Sequence, residues 1–250
     1  MVASECGCMD EGSESVIGIL SDAHGNIGAF QAAISHLRTL GAKSFYFLGD
    51  AVGYIPSLDV VDELLSMGAE VKCVLGNHEE MLFQDDIPPR REAIYQYKPL
   101  RERLSSNQID FLKSWPTHLQ EIIDGTSVLF VHGSPRDYTN EYVYPDTNLS
   151  QFKPSTSFVF MGHTHRPFLK NSNGTTFVNV GSCGLPRDDG RYGAFATFDP
   201  STKSVKIYRH AIDKFVSKLS SDFLEVIHPS VLEVFKRRSN TVFENSFKNI

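Results

Sequence analysis

Cysteine is scarce in this 250-residue chain: it has only Cys6, Cys8, Cys73 and Cys183, and none forms a C-x-x-C pair. So few cysteines in a chain of this length make no disulfide framework, and a reducing, cytoplasmic setting is expected. Long apolar runs are missing too, and none approaches the roughly 20 residues that span a bilayer. Residues 1–15 are acidic and contain Gly and Ser, without a basic stretch followed by an apolar one, so a flexible tail is expected there and not a secretory signal. Positive charge is in deficit, with 24 Lys and Arg against 30 Asp and Glu and a net charge of −6. That balance gives no global attraction to nucleic acid or anionic membranes, and neither is expected as a partner.

What is present is enough apolar residue, 41% of the chain, to bury a substantial core. No composition break divides it, so residues 16–250 are expected to form a single domain. The run Val16 to Leu20 ends in a polar loop and is followed by Ile27, Phe30, Ile34 and Leu37 at helical spacing. Residues 44–48 then lead into Asp50, and Val60, Val61, Leu64 and Leu65 predict a second amphipathic helix before residues 70–75 lead into Asn77. This β-α-β-α-β alternation implies parallel strands covered by helices, with the polar loops at the carboxyl ends of the strands.

Residues 84–118 break the pattern and read as a helical insertion between Pro88-Pro89 and Trp115-Pro116. Its Arg90, Arg91, Arg101 and Arg103 either meet a polyphosphate or form a solvated helix face. Short runs at 127–131, 158–161, 176–180, 194–198 and 205–208 then predict a second, more antiparallel sheet. Apolar spacing from Phe215 to Phe235 predicts C-terminal helices over 213–238, broken at Pro229.

Five polar loops carry the chemistry. They hold Asp22, His24 and Asn26; Gly49 and Asp50; Gly76, Asn77, His78 and Glu79; His132 and Gly133; and Gly162, His163 and His165. Together they supply two aspartates, four histidines and an asparagine amide able to converge on a pair of metal ions, with His78 left for acid–base work. His163 and His165 are two residues apart, which in extended chain would put them on opposite faces, so a sharp turn must bring both round. The chain reads as a hydrolytic metalloenzyme.

The order D-x-H, G-D, G-N-H, H, G-H-x-H resembles the calcineurin-like metallophosphoesterase superfamily over roughly residues 16 to 210. Within that span, residues 49–54, 132–137, 179–182 and 185–188 are similar to the bacterial branch linked to diadenosine polyphosphate hydrolysis. Glu79 stands where the family usually has Asp, and Val180 where N-P-G-S is common; neither change removes a metal ligand. The resemblance implies an α/β fold, a four-layer sandwich of two mixed β-sheets flanked by α-helices. It also implies two divalent metal ions. The nitrogen-and-oxygen donor set, without thiolate, suits manganese or iron first and zinc or nickel next.

By the same resemblance, Asp22, His24 and His165 complete one metal site, and Asn77, His132 and His163 the other. A carboxylate can bind one ion with each oxygen, which makes Asp50 the choice for a bridge. The implied reaction is in-line attack on phosphorus by a hydroxide shared between the metals, with His78 as general acid. A small phosphorylated substrate of nucleotide type, cleaved at a phosphodiester or phosphoanhydride, is expected; a small phosphomonoester is the alternative, and a non-catalytic metal-binding scaffold a more distant one.

Other residues admit two readings each. Asn26 either meets substrate phosphate or stabilises its turn, and Arg136 and Arg187 either clamp phosphate or form surface ion pairs. Tyr54, Tyr138, Tyr142 and Tyr144 either stack a nucleobase or pack their loops. Cys183, near the active face, is either a reactive thiol or inert packing, and inert packing is expected. His36, His118, His210 and His228 lie outside the metal set.

Overall fold

The structure, a computed structural model, describes residues 16–223, 225–239 and 247–249, so the tail expected at 1–15 lies outside the described residues. The chain opens with β1 (Ile17–Leu20), α1 (Ile27–Thr39), β2 (Ser44–Phe47), α2 (Asp59–Met67) and β3 (Val71–Cys73). Strand β2 pairs parallel with both β1 and β3, as the alternation requires. Helix α1 starts at Asn26, whose side chain accepts from the Ala29 N–H, and buries Phe30, Ala33, Ile34 and Leu37 at helical spacing. Helix α2 buries Val60, Val61, Leu64 and Met67; Leu65 is turned outward instead.

Three short helices follow α3 (Asn77–Leu82): α4 (Pro89–Tyr95), α5 (Tyr97–Arg101) and α6 (Ser106–Lys113). Proline at the first position of α4 loses no hydrogen bond there. Next come β4 (His118–Ile123), β5 (Thr126–Val131), β6 (Phe158–Met161), β7 (Phe168–Ser172), β8 (Thr175–Asn179), β9 (Tyr192–Asp199) and β10 (Ser204–Ala211). Helices α7 (Asp213–Asp222) and α8 (Pro229–Phe235) and strand β11 (Phe247–Asn249) end the described chain. Among the described residues no helix is long and apolar enough to cross a membrane.

Two mixed sheets result, one in the order β11-β10-β9-β1-β2-β3 and the other β4-β5-β6-β8-β7. One expectation needs correction. Strands β9 and β10 do not belong to the second sheet; they extend the first, antiparallel to β1 and to each other. In the second sheet β5, β6 and β8 run parallel, and the antiparallel partners β4 and β7 lie at its edges. A parallel pair needs a crossover, and the helix usually found there is not obligatory. Between β5 and β6, residues 132–157 make the crossing with a single 3-10 turn at Leu149–Gln151.

Alternation along the strands divides the core. Ile17, Ile19, Tyr46 and Leu48 of the first sheet meet Val128, Phe130, Phe158, Phe160 and Val178 of the second, forming the layer between sheets. Phe45 and Phe47 point the other way, into the layer beneath α1 and α2. Leu129, Val131, Val159 and Met161 line the opposite outer face under Val143, Leu149 and Phe152 from the crossover. The central strands are therefore buried on both faces, which is why they read as continuous apolar runs.

Candidate metal centre

The five polar loops follow β1, β2, β3, β5 and β6 at their carboxyl ends, on one edge of the sandwich. Backbone bonds carry the sheet registry into them: Asp22 N–H donates to Gly49 O and His24 N–H to Asp50 O, both at 3.0 Å. Strain is concentrated here. Asp22, His24, Asp50, His163 and His165 all have left-handed φ values between 49° and 64°, a conformation L-residues seldom adopt unless surrounding structure holds them. His163 and His165 thus make the sharp turn that their spacing requires.

Two buried groups of side chains come together. Asp22, His24, Asp50 and His165 form one, and Asp50, His132 and His163 the other, each with ligand atoms within 4.8 Å of one another. Asp50 belongs to both. Asn77 joins the second group, its Oδ1 lying 3.1 Å from His132 Nε2. His78 belongs to neither, with Nε2 4.0 Å from Asp50 Oδ2.

The outward-facing nitrogen of each cluster imidazole is tied to a backbone carbonyl. His24 Nδ1 meets Val52 O at 2.9 Å, His132 Nδ1 meets Leu48 O at 2.7 Å, His163 Nε2 meets Asn140 O at 3.1 Å, and His165 Nδ1 meets Leu185 O. In a neutral ring a carbonyl partner holds the proton on that nitrogen and leaves a lone pair on the other. The inward nitrogens then face each other, His24 Nε2 and His165 Nε2 at 3.1 Å, His132 Nε2 and His163 Nδ1 at 3.0 Å. Opposed lone pairs repel unless a cation lies between them, either a metal ion or, as for His132 in the metal-free protein, a proton. The buried Asp22 Oδ1 likewise has no hydrogen-bond partner. The donor set fits two divalent cations of a kind that bind imidazole and oxygen.

Without a cation, the protein groups set one another's charge. Burial opposes ionisation of Asp50, but His132 and His78 outweigh it and hold its carboxyl well below the usual carboxylate range. Asp22 is held low in the same way, chiefly by His165 against its burial. Burial would lower His132, yet Asp50 pushes it up to about 9. His163 falls to about 3 through burial and the neighbouring His132, and His165 to about 4 through burial and Arg187. Burial also holds His78 well below its ordinary value.

Several residues of the motif stretches, and one outside them, support the centre in ways that the sequence pattern does not specify. The carboxylate of Glu79 accepts four backbone N–H bonds: Oε2 from Asp50 at 2.8 Å and Gly76 at 3.0 Å, and Oε1 from Ala51 at 2.8 Å and Val52 at 3.3 Å. It pins the Asp50 loop to the start of α3. Its place three residues after Gly76 is the one hint, being where a helix N-terminus favours Glu. Asn179 Nδ2 donates to Gly162 O at 2.6 Å and Ser182 Oγ to Asp22 O at 2.7 Å, so the Asn179 to Ser182 stretch braces two ligand loops. Gly53, at φ +87°, lies so close to His78 that a Cβ would sit 2.1 Å from Nδ1. Tyr97 Oη meets that same Nδ1 at 2.7 Å.

The remaining candidates separate. Asn26 is buried with its amide engaged, capping α1 and donating to Gly184 O at 2.9 Å. Arg136 is exposed, paired with Glu141 and lying over Phe152. Arg187 does reach the centre: Nη2 donates to Tyr54 Oη at 2.7 Å and its charge acts on Tyr142 and Asp22. Tyr142 stacks on His163 at 3.8 Å between centroids and lies parallel to Tyr144 at 5.7 Å, both partly exposed. Tyr138 packs on His118. Cys183 is buried, and burial pushes its thiol up. Arg101 and Arg103 donate to backbone carbonyls of Gln84 and Pro56, while Arg90 and Arg91 are exposed.

The fold and centre are those of a metal-dependent phosphoesterase. The sequence profile of the calcineurin-like phosphoesterase superfamily domain matches residues 16–203, and the chain belongs to that family. It is similar to an uncharacterized protein of Methanocaldococcus jannaschii, 27% identical over 224 residues, covering 80% of this chain and 89% of that one. Among solved structures it is similar to a metallophosphoesterase from Sphaerobacter thermophilus, with a TM-score of 0.73 and 25% identity over 90% of this chain and 99% of that one. A hypothetical protein from Pyrococcus horikoshii shares the fold, with a TM-score of 0.76 and 22% identity over 88% of this chain and 97% of that one.

Proposed function

We propose that this phosphoesterase hydrolyses a phosphodiester or phosphoanhydride of a nucleotide-type small molecule, with a dinucleoside polyphosphate such as diadenosine polyphosphate as the leading class. The observation that carries the reaction class is the pair of buried clusters sharing Asp50. In this reading Asp50, Asp22, His24 and His165 would hold one divalent cation, and Asp50, Asn77, His132 and His163 the other. Manganese and iron suit these donors best, with zinc and nickel next. When bound, two such cations supply Lewis-acid polarisation of a phosphoryl oxygen and an acidified water as nucleophile.

The protein's own residues do the rest. His78, outside both clusters, would protonate the departing oxygen, which matters most where that oxygen is the alkoxide of a phosphodiester and least where it is the phosphate of an anhydride. Arg187 stands beside the first cluster with a guanidinium able to take phosphoryl oxygens from a fixed position. The nucleotide reading is supported by Tyr142 and Tyr144, two parallel, partly exposed rings next to His163 that offer a face to a base. Asn26 and Arg136, spent on a helix cap and a surface pair, carry little of this reading.

The test is hydrolysis by the manganese-reconstituted protein of a panel of dinucleoside polyphosphates, alkyl phosphodiesters and small phosphomonoesters, with product analysis. Turnover confined to monoesters would transfer the assignment to a phosphomonoesterase. Two bound metals without turnover of any phosphoester would make the protein a scaffold.

A further inference from the structure

The partner of the outward ring nitrogen separates His78 from the four cluster histidines. Each of those four meets a carbonyl, which can only accept. His78 Nδ1 meets a hydroxyl, Tyr97 Oη, at 2.7 Å. A phenol can donate or accept, so the surroundings decide. Tyr97 is fully buried, and His78 is the one hydrogen-bond partner of its hydroxyl among the described residues. Were Nδ1–H the donor, the phenolic hydrogen would be left unpaired in the interior, an arrangement folded proteins avoid. With the phenol as donor, both groups are satisfied. Burial also raises the Tyr97 hydroxyl, so it keeps its hydrogen across the neutral range.

We propose that Tyr97 donates to His78 Nδ1 and thereby fixes the proton of the neutral imidazole on Nε2, the nitrogen facing Asp50, as a hydrogen-bond donor aimed into the centre; a neutral ring that gives this proton to an alkoxide becomes an imidazolate, whose Nδ1 the Tyr97 hydroxyl then stabilises. Tyr97 is a positioning residue. The inference rests on the reading of His78 as the acid of the proposed reaction. It also explains why a histidine beside Asn77 is not a third imidazole of the second cluster: the nitrogen that faces the centre has no lone pair to give. Nε2 is 4.0 Å from Asp50 Oδ2, too far for a hydrogen bond, so its proton is not consumed by that carboxylate. The ring is held in place by Tyr95 and Tyr54, with centroids at 4.8 and 4.9 Å, and by the close approach of Gly53. Tyr97 opens α5, so residues outside the five ligand loops set the tautomer of the acid.

The test uses the full chain loaded with diamagnetic zinc and labelled with ¹⁵N-histidine, the His78 signals being assigned by their loss in His78→Ala. The expected spectrum has a pyridine-type Nδ1 and a pyrrole-type Nε2 at His78, and Tyr97→Phe shifts this towards a mixture of tautomers. With manganese and an alkyl phosphodiester, Tyr97→Phe should lower kcat about fivefold to tenfold, the worth of one net hydrogen bond, with KM and metal content unchanged. In a His78→Ala background the same substitution should cost nothing further. A pyrrole-type Nδ1 in the unaltered protein overturns the proposal. So does an equal kcat loss from Tyr97→Phe in both backgrounds, which would make Tyr97 merely structural. If His78→Ala instead turns over like the unaltered protein, the acid assignment fails, while the spectrum still decides the tautomer.

Discussion

Asp50 is the residue that the two clusters share. Its Oδ2 lies 3.2 Å from His132 Nε2 in one cluster and 3.6 Å from His24 Nε2 in the other, and its Oδ1 accepts the His78 backbone N–H at 3.0 Å. Two divalent cations about 4 Å apart repel by on the order of 15 kcal/mol at an effective dielectric of about 20. A shared carboxylate is the efficient place for compensating charge. Asp50→Asn keeps the shape and removes that charge, so metal content is expected to fall below two ions per chain and turnover to vanish. Elemental analysis with a phosphodiester assay checks this; two ions and full activity would take Asp50 out of the shared position. His78 should behave differently, because it lies outside the clusters. His78→Ala should leave both metals bound and slow hydrolysis of an alkyl phosphodiester by about 10²-fold to 10⁴-fold. The loss should be smaller on the p-nitrophenyl analogue, whose leaving group needs little protonation. Equal losses on both substrates would make His78 a stabiliser of phosphoryl charge instead.

Among the elements, the loop after β2 shows most clearly what a sequence does and does not disclose. Asp50 was legible because a carboxylate following an apolar strand, in order with four similar loops, has few ordinary explanations. The support of that loop was not, since Glu79 acts through four backbone N–H groups, three of them nearly thirty residues away in the chain. Tyr97 was hidden for the same reason, as a tyrosine in a helical stretch looks like any packing residue. Pairing of β9 with β1 is equally nonlocal: apolar runs announce strands without naming partners. Strand β4 escaped because its alternation is weak and Ile122 is 78% exposed. Glu79 gives a direct test of element-scale support. Glu79→Gln retains one acceptor oxygen but turns an NH₂ toward two of the four donors. Burial and the neighbouring Asp50 push Glu79 up to about 7, so above that pH two charge-assisted bonds are lost and donors face donors, and destabilisation of about 3 kcal/mol or more is expected there from bonds worth about 1.5–3 kcal/mol each. Urea unfolding of the metal-free variant measures it, and wild-type stability there would show that the loop is held by something else.

Over the whole molecule, the buried histidines impose opposite pH dependences on stability. His163 and His165 are held at about 3 and about 4, below the value of about 6.5 in an unfolded chain. As pH falls below about 6.5 the unfolded state takes up protons that the native state refuses, so their effect is to lower stability on the acid side. His132, at about 9, works the other way. Its proton is held in the native state and lost from the unfolded one, so its stabilisation is complete below about pH 6.5 and disappears as pH rises through about 9. These three histidines alone would make chelated protein most stable near pH 6.5; Glu79, pushed up to about 7, adds a further loss as pH rises through that value. Divalent cations require the neutral imidazole, so they compete with the proton on His132 and bind better as pH rises. The Tm difference between manganese-loaded and chelated protein should then widen between about pH 6.5 and 9. One pKa unit corresponds to about 1.4 kcal/mol, and a domain of this size gains about 2–4 °C per kcal/mol, so the widening should amount to several degrees. Thermal unfolding across that range, with and without chelator, reads it directly. A chelated protein whose Tm climbed steadily from pH 6.5 to 9 would mean that Asp50 does not hold charge on His132 in the metal-free protein, and the proton would then be no competitor of the cation at that imidazole.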